Sequence, residues 1–304
     1  MQANILTEIF LPIALGVIML GMGLSLTAND FKRVALYPKA TLVGLFAQLV
    51  LLPLTAFGVL HLIEIPPALA VGVMLLAVCP GGPTSNLLSN LARADIALSI
   101  TLTAVCSVIT VFTIPYLVNL SMEYFMGEGK YVELPVAQTM LQIIVITIIP
   151  VSLGMLIRWK SPAFAAKSEK PVKIASAIFV TLIIAGAILK EKDNLAGYFA
   201  EVGAVMFLVN AIILVAGYYV AGLFGLRHRQ RSAISIESGI QNGTLAITIA
   251  TSAFLLNDTT MSIPAAVYSI IMFITGALAV YIFSRRAMRE SLKESEQEPA
   301  KEVV

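Results

Sequence analysis

The sequence predicts an all-α membrane protein with about nine transmembrane helices, and three observations support this fold class. Of the 304 residues, 58% are hydrophobic and only 12% are charged, whereas soluble domains carry about a quarter charged residues. Apolar runs of about 18 residues or more, long enough to cross a bilayer, recur along nearly the whole chain. Lys and Arg cluster in alternate loops between these runs. The predicted organisation is one membrane domain over residues 1–284, followed by a charged cytoplasmic tail over residues 285–304.

The predicted spans are the apolar runs between segments rich in Pro, Gly and charged residues. The tail after the last span carries the acidic stretch Glu-Ser-Glu-Gln-Glu, so it is expected to be disordered. The nine spans are expected near residues 6–27, 40–62, 66–92, 95–121, 135–157, 172–190, 200–225, 232–256 and 263–284.

The distribution of Lys and Arg predicts the orientation of these spans. With nine spans and the N-terminus outside, the inner loops hold 15 of these cations and the outer loops only Lys130, Lys190 and Lys192. This asymmetry follows the positive-inside rule, and a count that differed by one span would destroy it. The sequence therefore predicts an integral protein of the cell (inner) membrane, with its N-terminus outside and its C-terminus in the cytoplasm.

Composition also argues against several other classes of protein. The net charge of +2 is too small to indicate a nucleic-acid partner. An intramembrane enzyme needs paired acids, a serine with a histidine, or clustered aspartates, but the two histidines, His61 and His228, both lie at span ends. Cys79 and Cys106 lack metal-ligand spacing and are expected to be buried thiols. The sequence therefore predicts neither an enzyme nor an organic cofactor.

Glu237 is the one acidic residue of 18 that is expected deep inside a span. It follows Arg231 by six residues, which is roughly 9 Å along a helix. An ionisable group at such a depth costs a few kcal/mol on insertion scales, and it usually has a functional reason. Glu237 is therefore a candidate ion or proton site, and a structural carboxylate paired with a neighbouring helix is the alternative.

Two of the predicted spans contain residues that interrupt a helix. Residues 79–86 in span three read Cys-Pro-Gly-Gly-Pro-Thr-Ser-Asn, and residues 237–244 in span eight read Glu-Ser-Gly-Ile-Gln-Asn-Gly-Thr. Irregular backbone at membrane depth is tolerated only where it is buried in protein or lines a wet cavity. Broken helices in matching places of two halves, here spans 1–4 and 5–9, indicate a transporter site between inverted repeats. A simple packing kink is the alternative for residues 79–86.

Further polar residues are expected near these two breaks. Ser99 and Thr103 share one face of span four, and Glu237 and Gln241 share one face of span eight. Gln48 lies midway through span two between apolar neighbours. Hard cations prefer oxygen ligands, whereas transition metals favour His and Cys. The oxygen-rich set therefore fits sodium.

At these residues the sequence resembles the bile acid:sodium symporter family. The resemblance extends from residues 21–24 in span one to residues 275–276 in span nine. Its most specific parts are residues 80–86, 93–99 and 237–242. It implies an inverted repeat (4+5), a panel domain and a core domain in which two broken helices cross. The panel would contain the spans near 6–27, 135–157 and 172–190, and the core those near 40–121 and 200–284.

The resemblance also implies two sodium sites and a substrate position. The first sodium site would consist of Ser85, Asn86, Ser99, Thr103 and Glu237. The second would consist of Gln48, Glu237, Gln241 and the backbone carbonyls of Ser238 and Ile240. Thr84 and Asn242 flank the crossing point and are candidates for contact with the substrate.

The function implied is sodium-coupled symport of a small organic anion by alternating access. The partners would be sodium ions, that anion and the lipid bilayer, and the oligomeric state stays open. A proton-coupled or uncoupled carrier is the alternative within the same class.

Overall fold

The structure, a computed structural model, is helical throughout the part of the chain that it describes. It describes residues 11–127, 133–168, 171–172, 174–175, 178–179, 195–252 and 254–297, and this part contains no β-strand, which confirms the all-α prediction. The main helices are α1 (Leu11–Ser25), α2 (Ala28–Leu36), α3 (Pro38–Leu62), α4 (Pro67–Val78), α5 (Pro83–Leu91), α6 (Ile96–Met126), α7 (Val136–Lys160), α8 (Leu195–Leu223), α9 (His228–Gly239), α10 (Gly243–Thr251) and α11 (Ile263–Gln297).

Several of these helices are long and apolar enough to cross a membrane. Within the described residues they are α3, α6, α7, α8 and α11, and α1 with α2, bent by 66°, forms a sixth candidate. The stretches predicted as spans three and eight each consist of two shorter helices, α4 with α5 and α9 with α10. The sixth predicted span, 172–190, lies mostly outside the described residues. The count of nine spans therefore stays a prediction.

The same order of helices occurs once before and once after the predicted sixth span. A long helix, a broken helix and a second long helix follow one another as α3, α4/α5 and α6, and again as α8, α9/α10 and α11. The isolated bridge between Gly81 and Gln241 joins the two breaks. This arrangement places the interruptions of both units next to each other in the interior.

Two π-helical turns occur in long helices, and a proline follows each of them closely. The turn Ala47–Leu51 in α3 precedes Pro53, and the turn Ile144–Ile148 in α7 precedes Pro150. Proline lacks an N–H and its ring crowds the carbonyl four residues earlier, so a wider turn relieves that contact. The turn in α3 contains Gln48, one of the predicted site residues.

Helices α1 and α7 approach each other through glycines. A Cβ atom at Gly23 would lie 2.1 Å from the carbonyl oxygen of Val151, and one at Gly154 would lie 2.5 Å from that of Leu20. Small residues permit such close backbone packing between membrane helices. Both helices belong to the predicted panel, whose third helix falls on residues 172–190, so the panel and core division remains a prediction.

The expected disorder of the tail is wrong for its first part. Helix α11 continues without interruption past Arg285 to Gln297, while residues 298–304 lie outside the described part. Arg286 and Glu290, one turn apart, form an ion pair with an Nε–Oε1 distance of 3.4 Å. Such pairs support an exposed helix, and the charged composition of the tail is therefore compatible with helix.

Candidate ion site at the crossing of two broken helices

The two broken helices meet through their irregular backbones. Gly81 lies opposite Gln241 in the bridge between the breaks, and the backbone N–H of Asn242 donates to the carbonyl of Pro80 at 2.9 Å. Polar backbone groups that the breaks remove from the helical ladder are thereby partly satisfied, as burial requires. The site around the crossing is consequently built on four half-helices and the flanking long helices.

The first break follows from its own residues. Val78 ends α4, Cys79 is extended with ψ of 154°, and Pro83 begins α5 at its first position. Proline cannot donate to the preceding turn but is well suited to a first helical position. Gly81 has a second role, because a Cβ atom there would lie 2.4 Å from Oε1 of Glu237. The missing side chain makes room for the carboxylate.

Glu237 lies in α9 with 1% of its surface exposed, and three hydroxyl groups surround its carboxylate. Ser85 and Ser99 donate to Oε2 at 2.7 and 3.0 Å, and Thr103 donates to Oε1. The amide oxygen of Asn86 lies 2.8 Å from the hydroxyl oxygen of Ser99 and 3.3 Å from that of Thr103, and is the alternative acceptor for their single protons. The structure thus brings together the five side chains that the family resemblance implies for the first sodium site.

Among the described residues, no basic side chain balances the charge of this cluster. The one ion pair found within the described ranges is that between Arg286 and Glu290, in the C-terminal part of α11. A buried, ionised carboxylate without a counter-charge is costly unless a cation or a proton compensates it. With one carboxylate, one amide oxygen and three hydroxyls, the cluster has the hard oxygen donors that alkali and alkaline-earth cations prefer.

A second polar cluster lies beside the first and is neutral. Gln48 donates through Nε2 to Oε1 of Gln241 at 2.8 Å and to the carbonyl of Cys79 at 3.1 Å. Gln241 donates in turn to the carbonyl of Ser238 at 2.7 Å. These contacts unite Gln48, Ser238 and Gln241, while Ile240 is fully buried next to them. The side-chain hydrogen bonds of Glu237 within the described residues all come from the first cluster, so its share in a second site stays a prediction.

The two predicted substrate residues lie at the starts of half-helices. Asn242 caps α10, since its Oδ1 accepts from the backbone N–H of Leu245 at 3.0 Å. Thr84 is half-buried in the first turn of α5. A cavity of about 470 Å³ is found instead at the ends of α3, α6, α9 and α11, where Arg33, Asp95 and Arg229 contribute to its lining. Neither Thr84 nor Asn242 lines that cavity, and their contact with substrate remains a prediction.

The second break is held by residues that sequence reasoning missed. The carbonyl of Gly239, the last residue of α9, accepts from Nδ2 of Asn210 at 2.8 Å and from the hydroxyl of Tyr268 at 2.9 Å. Asn210 interrupts an apolar stretch of α8 in the same manner as Gln48 interrupts α3. An isolated polar residue in a membrane span was therefore the available signal, as it was for Gln48.

These features define an integral membrane protein in which two crossed, broken helices hold a buried carboxylate. The sequence model for the sodium bile acid symporter family matches residues 12–198, more than half of the chain. The chain belongs to this family.

Several relatives align with most of the chain. It is 27% identical over 281 residues to the uncharacterized sodium-dependent transporter YocS of Bacillus subtilis, covering 92% of this chain and 85% of that protein. It is 29% identical over 292 residues to the probable chloroplastic sodium/metabolite cotransporter BASS1 of Arabidopsis thaliana, covering 94% and 70%. It is 26% identical over 292 residues to the ileal sodium/bile acid cotransporter of Oryctolagus cuniculus, covering 93% and 82%. The family is thus one of sodium-dependent transporters.

Proposed function

We propose that the protein is a sodium-coupled symporter of a small organic anion that works by alternating access. One observation carries the proposal. Glu237 is buried at the crossing of the two broken helices and accepts hydrogen bonds from Ser85, Ser99 and Thr103, with no basic side chain in the described part to balance its charge. Membership in a family of sodium-dependent transporters supports sodium as the balancing ion.

Sodium bound at the first cluster would take the place of the hydroxyl hydrogen bonds as the partner of the carboxylate, and the hydroxyl groups would keep their protons. The hydroxyl groups of Ser85, Ser99 and Thr103 can rotate, so that each presents a lone pair to the cation. Their oxygens, together with Oδ1 of Asn86 and the carboxylate, form a ligand set of the required chemistry. Gln48, Gln241 and the carbonyls of Ser238 and Ile240 would hold a second ion in the neutral cluster.

An anionic substrate follows from the charge of the loaded site. Two sodium ions and a single carboxylate leave a net positive charge near the crossing. The starts of α5 and α10 lie at the same place, and helix N-termini favour anions. Asn242 uses its Oδ1 for capping, and its amide N–H groups remain as donors that could meet a carboxylate or sulfate.

Coupling would arise from the different ion affinities of two conformations. A ligand shifts a conformational equilibrium only by its differential affinity for the two states. Sodium that joins α5, α6 and α9 at Glu237 would favour the arrangement in which the crossing accepts the anion, and binding of each would strengthen that of the other. The proposal includes a panel that moves against the core, and the predicted orientation with the N-terminus outside.

The replacement Glu237→Gln tests the proposal. It preserves the shape of the side chain and removes the charge that faces the cations. In the parent protein, NaCl should raise the melting temperature above that in KCl at equal ionic strength, because a ligand that binds only the folded state stabilises it. Glu237→Gln should lose this difference, and Glu237→Asp, which is shorter by about 1.5 Å, should weaken it. Glu201→Gln, at an exposed position of α8, is the matched control and should behave as the parent.

Two results would contradict sodium coupling at this site. The first is a parent protein that melts identically in NaCl and KCl. If its stability in KCl then depends on pH, a proton-coupled carrier would be supported. The second is a Glu237→Gln variant that keeps the full sodium effect, which would make Glu237 a structural carboxylate. A screen of bile acids, small carboxylic acids and sulfated steroids in each salt would then identify the anion class.

A further inference from the structure

The carbonyl oxygen of Gly239 accepts hydrogen bonds from two buried side chains. It lies at the C-terminal end of α9, where helical carbonyls lack partners within the helix. Asn210 of α8 and Tyr268 of α11 both donate to its oxygen, and the amide of Asn210 also donates to the hydroxyl of Tyr268 at 2.9 Å. Asn210 is 0% exposed and Tyr268 is 1% exposed. The three groups form a closed triangle in which both lone pairs of the carbonyl are used.

This triangle involves the residue between two proposed sodium ligands. Ser238 and Ile240, whose carbonyls are proposed for the second sodium site, are the immediate neighbours of Gly239. The carbonyl of Ser238 accepts from Gln241 at 2.7 Å, on the side of Gln48, whereas that of Gly239 is bonded to α8 and α11. Because each peptide unit is planar, the direction of one carbonyl restricts the rotation of the units on either side of it.

The close packing of Gly239 supports a positional role. A Cβ atom at this residue would lie 2.6 Å from Cγ of Leu214 in α8, so the end of α9 contacts α8 through bare backbone. Asn210 and Leu214 are one turn apart on the same face of α8. The second break contains no proline, and the contacts with α8 and α11 consequently restrain its backbone from outside.

We propose that Asn210 and Tyr268 are positioning residues for the second sodium site. By fixing the carbonyl of Gly239 toward α8 and α11, they keep the carbonyls of Ser238 and Ile240 directed at the ion. They set the affinity for sodium without contacting it, and they link α8 and α11 to the ion site. This inference rests on the proposed function.

The variant Tyr268→Phe tests this role because it removes the hydroxyl and keeps the ring. We expect the sodium half-saturation, the Kd obtained by fitting the stabilisation to RT ln(1 + [Na⁺]/Kd), to rise about three- to tenfold, the equivalent of about one buried hydrogen bond. NaCl is titrated into purified protein against KCl at constant ionic strength, so sodium is the only ligand required. The sodium half-saturation is the decisive readout. A purely structural role would lower the melting temperature in KCl but would leave the sodium half-saturation unchanged.

Tyr218→Phe is the matched control at the other end of α9. The buried hydroxyl of Tyr218 lies 2.9 Å from Nδ1 of His228, 11 residues before Gly239 and therefore roughly 16 Å along the helix. This variant should lower the melting temperature in KCl but keep the sodium half-saturation of the parent. Asn210→Ser removes the amide and leaves a small polar group in place. It should shift the sodium half-saturation in the same direction as Tyr268→Phe. If Tyr268→Phe does not fold, Asn210→Ser alone tests the positioning role.

The outcomes separate the inference from the proposed function. A parent protein without any sodium-specific stabilisation would overturn both. The positioning role alone would be overturned if sodium stabilises the parent but the half-saturation is unchanged in Tyr268→Phe and Asn210→Ser. The same holds if their half-saturation matches that of Tyr218→Phe. A selective shift in the two variants near Gly239 would support it.

Discussion

The two breaks that cross at the centre of the protein are maintained in different ways. The first, at residues 79–82, contains Pro80 and two glycines and is followed by Pro83, which cannot continue the ladder of α4. The second, at residues 240–242, contains no proline, and side chains occupy its free backbone groups. Gln241 bonds to the carbonyl of Ser238, and Asn242 caps α10. The first break is thus specified by local covalent structure and the second mainly by hydrogen bonds.

This difference corresponds to a division of roles. The first break provides space, since Gly81 allows the carboxylate of Glu237 to approach, and its hydroxyl donor Ser85 lies one turn into α5. The end of α9 that leads into the second break carries Glu237, and the two proposed carbonyl ligands, Ser238 and Ile240, lie there as well. Substitutions at the two breaks should therefore fail for different reasons.

The largest expected effect is steric and concerns the first break. In Gly81→Ala the new Cβ atom would lie 2.4 Å from Oε1 of Glu237, which forces the carboxylate away from Thr103. We expect the sodium affinity, measured from the sodium-specific rise in melting temperature, to fall by more than about tenfold, because the charged ligand itself is displaced. In Gly82→Ala the nearest atom, of Asn242, would be 3.8 Å away, an ordinary contact, and this control should resemble the parent. Equal behaviour of the two variants would refute the spatial role of Gly81.

A moderate effect is expected from Ser85→Ala in α5. The lost hydroxyl donates to Glu237 at 2.7 Å, and its removal should raise the sodium half-saturation by about three- to tenfold. Ser89, one turn later, is equally buried, but its hydroxyl has no hydrogen-bond partner within the described residues. Ser89→Ala should leave sodium binding unchanged and the stability equal or higher by up to about 1 kcal/mol, because an unsatisfied buried hydroxyl is removed. The measurement is the sodium half-saturation of both variants, obtained from thermal-shift titrations with NaCl. Weakening by Ser89→Ala to the same extent would show that the effect does not depend on the hydroxyl group that contacts Glu237.

The smallest effect concerns the cap of the second break. Asn242→Ala removes the acceptor for the N–H of Leu245 and should cost about 1 kcal/mol of stability, as loss of an N-cap does. Asn242→Ser preserves a capping oxygen, so the melting temperature in KCl should return toward that of the parent. Both variants lack the amide N–H groups, and a substrate anion that contacts them should stabilise both less than it stabilises the parent. Restored anion binding in Asn242→Ser would exclude the amide from the substrate site.

Sequence alone was sufficient for the features that act on their own stretch of backbone. Apolar runs predicted the helices, Pro80 and Pro83 predicted the first break, and Glu237 was recognisable as an acid at a costly depth. The continuation of α11 into the charged tail was not predicted, because the same composition suits a solvated helix and a disordered segment. Sequence reasoning also left out Tyr268, since a tyrosine in a span has many uses.

Only the tertiary structure decided which side chains meet. Ser85, Ser99 and Thr103 are separated from Glu237 by 152, 138 and 134 residues, and helical periodicity gives the face of each residue but not the helix that this face contacts. The family resemblance implied this grouping, whereas composition and spacing alone could only collect the residues as oxygen donors. The partners of Gly239 illustrate the reason. Proline and glycine change the conformation of their own residue, but a hydrogen bond to Asn210 or Tyr268 exists only after α8, α9 and α11 have packed.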